Sequence, residues 1–240
     1  MNSAPIVTVF ASPEEVCAAA RDRIIALAKA SISARKRFDV ALSGGRTPEN
    51  VYKSLVGADL PWSRIHVFFG DERCVGPTEA DSNFRMANQA LLSKVPIPAT
   101  NVHRIHGETD PERSAAEYEA ELRKSFALRP GARPRLDLAL LGMGADGHTA
   151  SLFPGTTALS ERDKLCCATR VESLKAWRIT LTLPVFQNAA NILFLVCGAD
   201  KAQALKQSTA TKVTNDTPPA GRIRPTNGEV AWYVDRAARG

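Results

Sequence analysis

Four times along the chain a short, largely apolar run empties into a glycine: Phe38–Leu42 before Ser43-Gly44-Gly45, Ile65–Phe69 before Gly70, Leu136–Leu141 before Gly142, and Ile192–Cys197 before Gly198. Apolar runs this short, bounded by turn signals, fit strands buried on both faces. Helical patterns fill the intervals. Ser12-Pro13-Glu14-Glu15 opens one that reaches about Ala30, with Ser12 as N-cap, Pro13 at the first helical position and Glu15 closing a capping box. Thr47 is expected to cap a second over Glu49 to Val56, with Pro48 in its first turn. Others are expected from about Ser82 to Leu92, from Asp110-Pro111-Glu112 to about Leu128, and from the Gly198 turn to about Gln207. Further strands are expected at Ile6–Phe10, Ala168–Val171 and Arg178–Leu183, and a weaker one at Val102–Ile105. Strands and helices alternating over the whole length predict an α/β protein, a mostly parallel sheet with helices on both faces in a single domain over residues 1–240. Ser208–Pro219, rich in Thr and ending in Pro-Pro, reads as a flexible surface stretch.

The 240 residues, 44% of them apolar, suffice for a sizeable core. The sequence contains no uninterrupted apolar stretch of about 18 residues and opens without a basic segment leading into an apolar one, so neither a membrane span nor a signal peptide is expected and the location expected is cytoplasmic. Cys17, Cys74, Cys166, Cys167 and Cys197 are odd in number and lack Cys-x-x-Cys spacing, which predicts reduced thiols; the adjacent Cys166 and Cys167 read as ordinary strand residues. A net charge of +6 is spread thinly among few aromatics, a pattern that suits an anionic small molecule better than nucleic acid.

In an open parallel sheet the ligand sits beyond the carboxyl ends of the strands, so the four glycine loops are expected to converge. Ser43-Gly44-Gly45-Arg46-Thr47-Pro48 lets backbone N–H groups and a helix N-terminus approach a phosphate, although the same residues also make an ordinary strand-to-helix turn. It is not a Walker A loop, because the Gly-Lys-Ser/Thr ending is absent. In Gly70-Asp71-Glu72-Arg73 a solvated salt-bridge cluster is one reading; proton handling by Asp71 and anion binding by Arg73 is the other. Lys201 can reach a phosphate as a point charge, or be a surface lysine. Arg178, at the start of a strand, needs a partner, either an anionic ligand or a structural carboxylate.

Gly142-Met143-Gly144-Ala145-Asp146-Gly147 matches the Gly-x-Gly-x-x-Gly dinucleotide fingerprint, but Pro154-Gly155 leaves room for barely two helical turns and Asp146 would repel a pyrophosphate. His148 is the residue best suited to chemistry. Its ordinary pKa near 6.5 lets it take a proton from water at neutral pH, and Asp146, two residues earlier, can fix its tautomer. There is no Gly-x-Ser-x-Gly nucleophile elbow. General-base activation of water is the simpler proposal.

Together, Leu42-Ser43-Gly44-Gly45-Arg46-Thr47-Pro48, Phe69-Gly70-Asp71-Glu72-Arg73-Cys74-Val75, the run from Leu141 to Pro154, Arg178-Ile179-Thr180-Leu181-Thr182 and Gly198-Ala199-Asp200-Lys201-Ala202 resemble the 6-phosphogluconolactonases, in their order. The resemblance implies a Rossmann-like fold shared with glucosamine-6-phosphate deaminases, no metal or organic cofactor, and hydrolysis of 6-phospho-D-glucono-1,5-lactone to 6-phosphogluconate in the pentose phosphate pathway. It implies His148 as the base assisted by Asp146, with Ser43, Gly44, Gly45, Arg46, Thr47, Asp71, Arg73, Arg178 and Lys201 as the substrate- and phosphate-binding set. The expected partner is a phosphorylated sugar lactone, without nucleic acid or membrane, bound by a monomer or weak homodimer. Ser173-Leu174-Lys175-Ala176-Trp177 departs from the family pattern by lacking a Pro-Pro. Two rivals share this scaffold. A deaminase carries a working Glu five residues after the histidine, where this chain has Phe153; a non-catalytic sugar-phosphate sensor would be expected to lack an intact Asp-His pair.

Overall fold

A computed structural model describes residues 5–225 and 227–240. The elements in chain order are β1 Ile6–Phe10, α1 Pro13–Arg35, β2 Phe38–Leu42, α2 Arg46–Ser54, β3 Ile65–Phe69, β4 Asp71–Arg73, α3 Asn83–Ala90, β5 Val102–His103, α4 Pro111–Ser125, β6 Leu138–Gly142, β7 Cys166–Val171, β8 Ala176–Leu181, α5 Leu183–Gln187, β9 Asn191–Val196, α6 Ala202–Ser208, β10 Glu229–Asp235 and α7 Arg236–Arg239. Seven strands form a sheet in the order β1-β10-β9-β6-β2-β3-β5, every pair parallel, flanked by helices. The central strands are apolar because both faces are covered: β2 is buried throughout, and Leu138 to Leu141 of β6 are inaccessible to solvent.

The order of the strands fixes where a ligand can sit. From β2 the chain builds outward through β3 to β5, then returns to lay β6 on the other side of β2 and continues to β9 and β10. The reversal falls between β2 and β6. The loops leaving these two strands diverge to opposite sides of the sheet and open a crevice at their carboxyl ends, the preferred binding position in open α/β sheets.

A second, antiparallel sheet, β4-β8-β7, was not among the sequence expectations. Gly70-Asp71-Glu72-Arg73 is therefore more than a loop: Asp71–Arg73 is a strand paired with Arg178–Thr180, and β7 and β8 form a hairpin. Its turn holds the segment that lacks Pro-Pro, with Lys175 in the left-handed region at φ 48°. Cys166 and Cys167 are buried strand residues.

Local signals placed most helix starts correctly. The hydroxyl of Ser12 accepts from the Glu15 N–H, Ser82 from the Arg85 N–H, and the carboxylate of Asp110 from the Arg113 N–H. Thr47 does not cap α2. The helix begins two residues earlier than that reading requires, with Gly45 at the N-cap and φ at 106°, a conformation a β-branched residue would not adopt. The strand at Val102 is only two residues long, and α4 stops at Ser125. Strand β10 was missed; its Val230-Ala231-Trp232-Tyr233-Val234 run, enriched in strand formers and set just after Gly228, was the available signal. Residues 211–216 of the Thr-rich stretch are exposed, but Thr217 to Gly221 are buried against the loop that follows β6, with the Ala220 N–H donating to the Gly147 carbonyl at 3.0 Å.

Candidate active site

A cleft of about 340 Å³ opens at the reversal point, and residues from all four glycine loops line it: Ser43 to Pro48 after β2, Asp71 and Arg73 of β4, Gly142 to Gly144 and His148 to Ala150 after β6, and Cys197 and Lys201 after β9. Asn83 of α3 joins them. The convergence expected from the sequence is present.

The loop after β6 folds back on itself. The Gly144 N–H donates to the His148 carbonyl at 2.9 Å and the Gly147 N–H to the Gly144 carbonyl at 3.0 Å, while the Thr149 hydroxyl donates to the Gly142 carbonyl at 2.8 Å. No helix starts here, so the loop lacks the element a dinucleotide fingerprint requires. His148 Nδ1 lies 2.6 Å from Asp146 Oδ1, which also accepts the His148 backbone N–H at 3.1 Å. Partial burial would raise the Asp146 pKa, but the bonds and charge of His148 outweigh it and hold the carboxyl below its ordinary value. With Nδ1 engaged, Nε2 is the ring nitrogen left for a substrate or water. Only glycine fits at 144, since a β-carbon would run into the imidazole and the Asp146 carboxylate. Against the other side of the imidazole lies the Phe153 ring, its centroid 4.0 Å away and its plane tilted by 21°.

Neither carboxylate of the Asp71-Glu72 pair is solvated or salt-bridged among the described residues, which removes the surface-cluster reading. Successive strand residues point to opposite faces, and β4 uses this to give the two carboxylates different work. Glu72 turns to α3 and accepts the N–H groups of Asn83 and Phe84 and the Ser82 hydroxyl, satisfying donors a helix start leaves unpaired. Burial raises its pKa, with these bonds opposing. Asp71 faces the cleft. Its Oδ2 accepts from the Ser151 hydroxyl at 2.6 Å and its Oδ1 from Asn83 Nδ2 at 3.2 Å. Asn83 presses against the α-carbon of Gly44, where a β-carbon would collide with its amide.

The cations divide unequally. Arg46, Arg73 and Lys201 line the cleft; Arg73 donates to the Asp81 carbonyl at 2.6 Å, and Lys201 pairs with its neighbour Asp200 at 3.0 Å. Arg178 does not line it. It stands opposite Arg73 in the β4–β8 register and donates to the Trp177 carbonyl, and burial, followed by the charge of Arg73, lowers its pKa. No structural carboxylate pairs with it among the described residues. Ser43 is buried, and its Oγ, in the cleft wall, has no hydrogen-bond partner. That hydroxyl keeps both its donor and its acceptor capacity at the wall of a cleft lined by three cations. Asn83 and Ser151 were not singled out in the sequence: one falls at the expected start of α3, the other within the run from Leu141 to Pro154.

Residues 11–232 match the family of glucosamine-6-phosphate isomerases/6-phosphogluconolactonase. The 6-phosphogluconolactonase of Nostoc sp. is 43% identical over 234 residues, 96% of either chain. The chain belongs to this family. The 6-phosphogluconolactonase from Trypanosoma cruzi superposes with a TM-score of 0.89 at 30% identity, over 99% of this chain and 97% of that one. A monomeric glucosamine-6-phosphate deaminase, 20% identical, superposes at 0.81 over 97% and 98%, a likeness of fold alone. The two activities named for the family thus share a scaffold. At the position where the deaminase resemblance would require a glutamate, this member of the family carries a ring packed on His148.

Proposed function

We propose that this chain is a 6-phosphogluconolactonase that hydrolyses 6-phospho-D-glucono-1,5-lactone with His148 as general base. The observation that carries the mechanism is the Asp146–His148 pair at the wall of a cleft lined by three cations. Asp146 holds the imidazole with Nδ1 protonated, so Nε2 accepts a proton from water as the water oxygen bonds to the lactone carbonyl carbon. The tetrahedral intermediate collapses by breaking the ring ester bond. The departing ring oxygen takes the proton from the imidazolium, and the new carboxylic acid loses its own to solvent.

A lactone is an activated ester whose leaving group stays attached, so modest assistance suffices. A positioned base contributes about 10² to 10⁴ in rate, and one oxyanion donor about 3 kcal/mol. The Ser43–Thr47 loop with Arg46, Arg73 and Lys201 supplies phosphate binding and carbonyl polarisation, and the free Ser43 Oγ supports an oxyanion partner there. Asp71 serves as an acceptor for a sugar hydroxyl. Arg178 adds positive potential from beside Arg73, its partner on the neighbouring strand, rather than by lining the cleft. Among the described residues no group of three or more His, Cys, Asp or Glu side chains could hold a metal ion, and no helix is long and apolar enough to cross a membrane. The five cysteines are free thiols, which supports a reducing, cytoplasmic location.

The test is the disappearance of freshly prepared 6-phosphogluconolactone with and without chelator. Acceleration beyond spontaneous hydrolysis, unchanged by chelation, is expected; a rate equal to the spontaneous one would end the lactonase reading.

A further inference from the structure

The general base must become an imidazolium during turnover, and the groups touching it decide how well that charge is held. Asp146 meets it in the plane of the ring, through Nδ1. Phe153 meets it on a face: its ring is nearly parallel to the imidazole, with a centroid separation of 4.0 Å, well inside the roughly 6 Å at which a cation is attracted by an aromatic face. Phe153 itself is almost wholly buried, so its position is fixed by packing. Leu152 and Pro154 flank it in a tight chain reversal, with the Leu152 N–H donating to the Thr149 carbonyl at 2.9 Å.

We propose that Phe153 is a positioning residue for the hydrolysis, holding the imidazole plane so that Nδ1 meets Asp146 and Nε2 faces the cleft, and stabilising by its π-face the positive charge that His148 gains from water. The proposal rests on His148 being the base. It explains an aromatic at a position where the deaminase resemblance requires a carboxylate. A second carboxylate against the imidazole would compete with Asp146 for the ring's protons, whereas a benzene ring stabilises the cation without offering an acceptor.

The other ionisable groups facing the cleft around His148 are Asp71 and Arg73 of β4, Arg46 of α2, Cys197, whose thiol burial pushes up to about 11, and Lys201, with Asp146 beside the ring. A change at 153 alters none of them. Phe153 also lines a second cleft of about 450 Å³, whose charged members are Glu112, Arg170 and Glu172.

The experiment compares Phe153→Leu and Phe153→Met, which keep bulk but lose the π-face, with Phe153→Tyr, which keeps it. Three readouts are taken: steady-state kinetics across pH, thermal midpoint, and an NMR titration of the His148 ring. In the Leu and Met variants kcat is expected to fall about three- to tenfold with KM nearly unchanged, and the acid limb of the kcat/KM profile and the ring titration to move to lower pH by about half a pH unit or more. Phe153→Tyr should retain both. A drop in kcat with an unmoved titration, or an equal drop in the Tyr variant, would reduce Phe153 to packing and overturn the proposal. Should one apolar variant not fold, the other and the Tyr variant still decide. Lactonase activity surviving in His148→Ala would instead remove the base reading, and the ring titration would still report whether the stack holds the charge.

Discussion

One carboxylate oxygen of Asp146 accepts twice from the same residue, from the His148 backbone N–H at 3.1 Å and from its ring Nδ1 at 2.6 Å. The paired hydrogen bonds close a small ring of chain that Gly144 and Gly147 make possible, and they hold the imidazole before any substrate arrives. Pre-set geometry of this kind is worth more to the transition state than to ground-state binding. His148→Ala should therefore lower lactonase turnover by about 10² to 10⁴ with little change in KM or thermal midpoint. Steady-state kinetics beside a melting curve check this; a folded variant with near-full turnover would place the base elsewhere.

Arg73 and Lys201 reach the cleft from different sheets, Arg73 from β4 of the antiparallel sheet and Lys201 from the segment after β9 of the parallel one. Charged hydrogen bonds are worth about 1.5–3 kcal/mol, so Arg73→Gln or Lys201→Gln should raise KM for the phosphorylated lactone by about ten- to a hundredfold. The same changes should matter much less for the unphosphorylated lactone. Equal effects on both substrates would show that neither cation binds phosphate.

Ser151 and Asp71 are 80 residues apart and share a 2.6 Å hydrogen bond in a fully buried setting. Removing the hydroxyl leaves a buried carboxylate oxygen short of a donor. Ser151→Ala is expected to cost about 1.5–3 kcal/mol of stability, read from urea denaturation. A midpoint matching the parent protein would mean that solvent replaces the hydroxyl and that Asp71 is less enclosed than its burial indicates.

Between the neighbouring strands β3 and β5, His66 Nδ1 lies 3.2 Å from His103 Nε2, and His103 Nδ1 lies 2.7 Å from Glu121 of α4. Burial first, then the charges of Arg37 and His103, push the His66 pKa from 6.5 down to about 4. The folded protein thus resists a proton that the unfolded chain accepts. Stability from this source is complete above about pH 6.5 and is lost as pH falls toward 4, and His103, lowered by burial, acts in the same direction. Denaturation at pH 7 and pH 5 should show the decline, and His66→Gln should flatten it; an identical slope in the variant would assign the effect to other groups.

Much of this was legible from order along the chain. A glycine after each apolar strand, Ser12, Ser82 and Asp110 at helix starts, and an aspartate two residues before a histidine are local signals, because turns, caps and short loops are settled by neighbours a few positions away. Where a local signal failed, backbone conformation overruled it: the start of α2 needed φ at 106°, which glycine adopts and Thr47 does not.

The sequence alone determined the class of fold, the four loops that meet at one end of the sheet, and the Asp146–His148 pair within one of them. Only the tertiary structure decided which partner each side chain found across the molecule. It set β4 against β8, which stands Arg178 beside Arg73; it brought Asn83 and Ser151 to Asp71, and laid Phe153 on His148. The first group depends on spacing, which a chain carries in itself. The second depends on strand order and register, which exist only after residues far apart in sequence have been packed into one sheet.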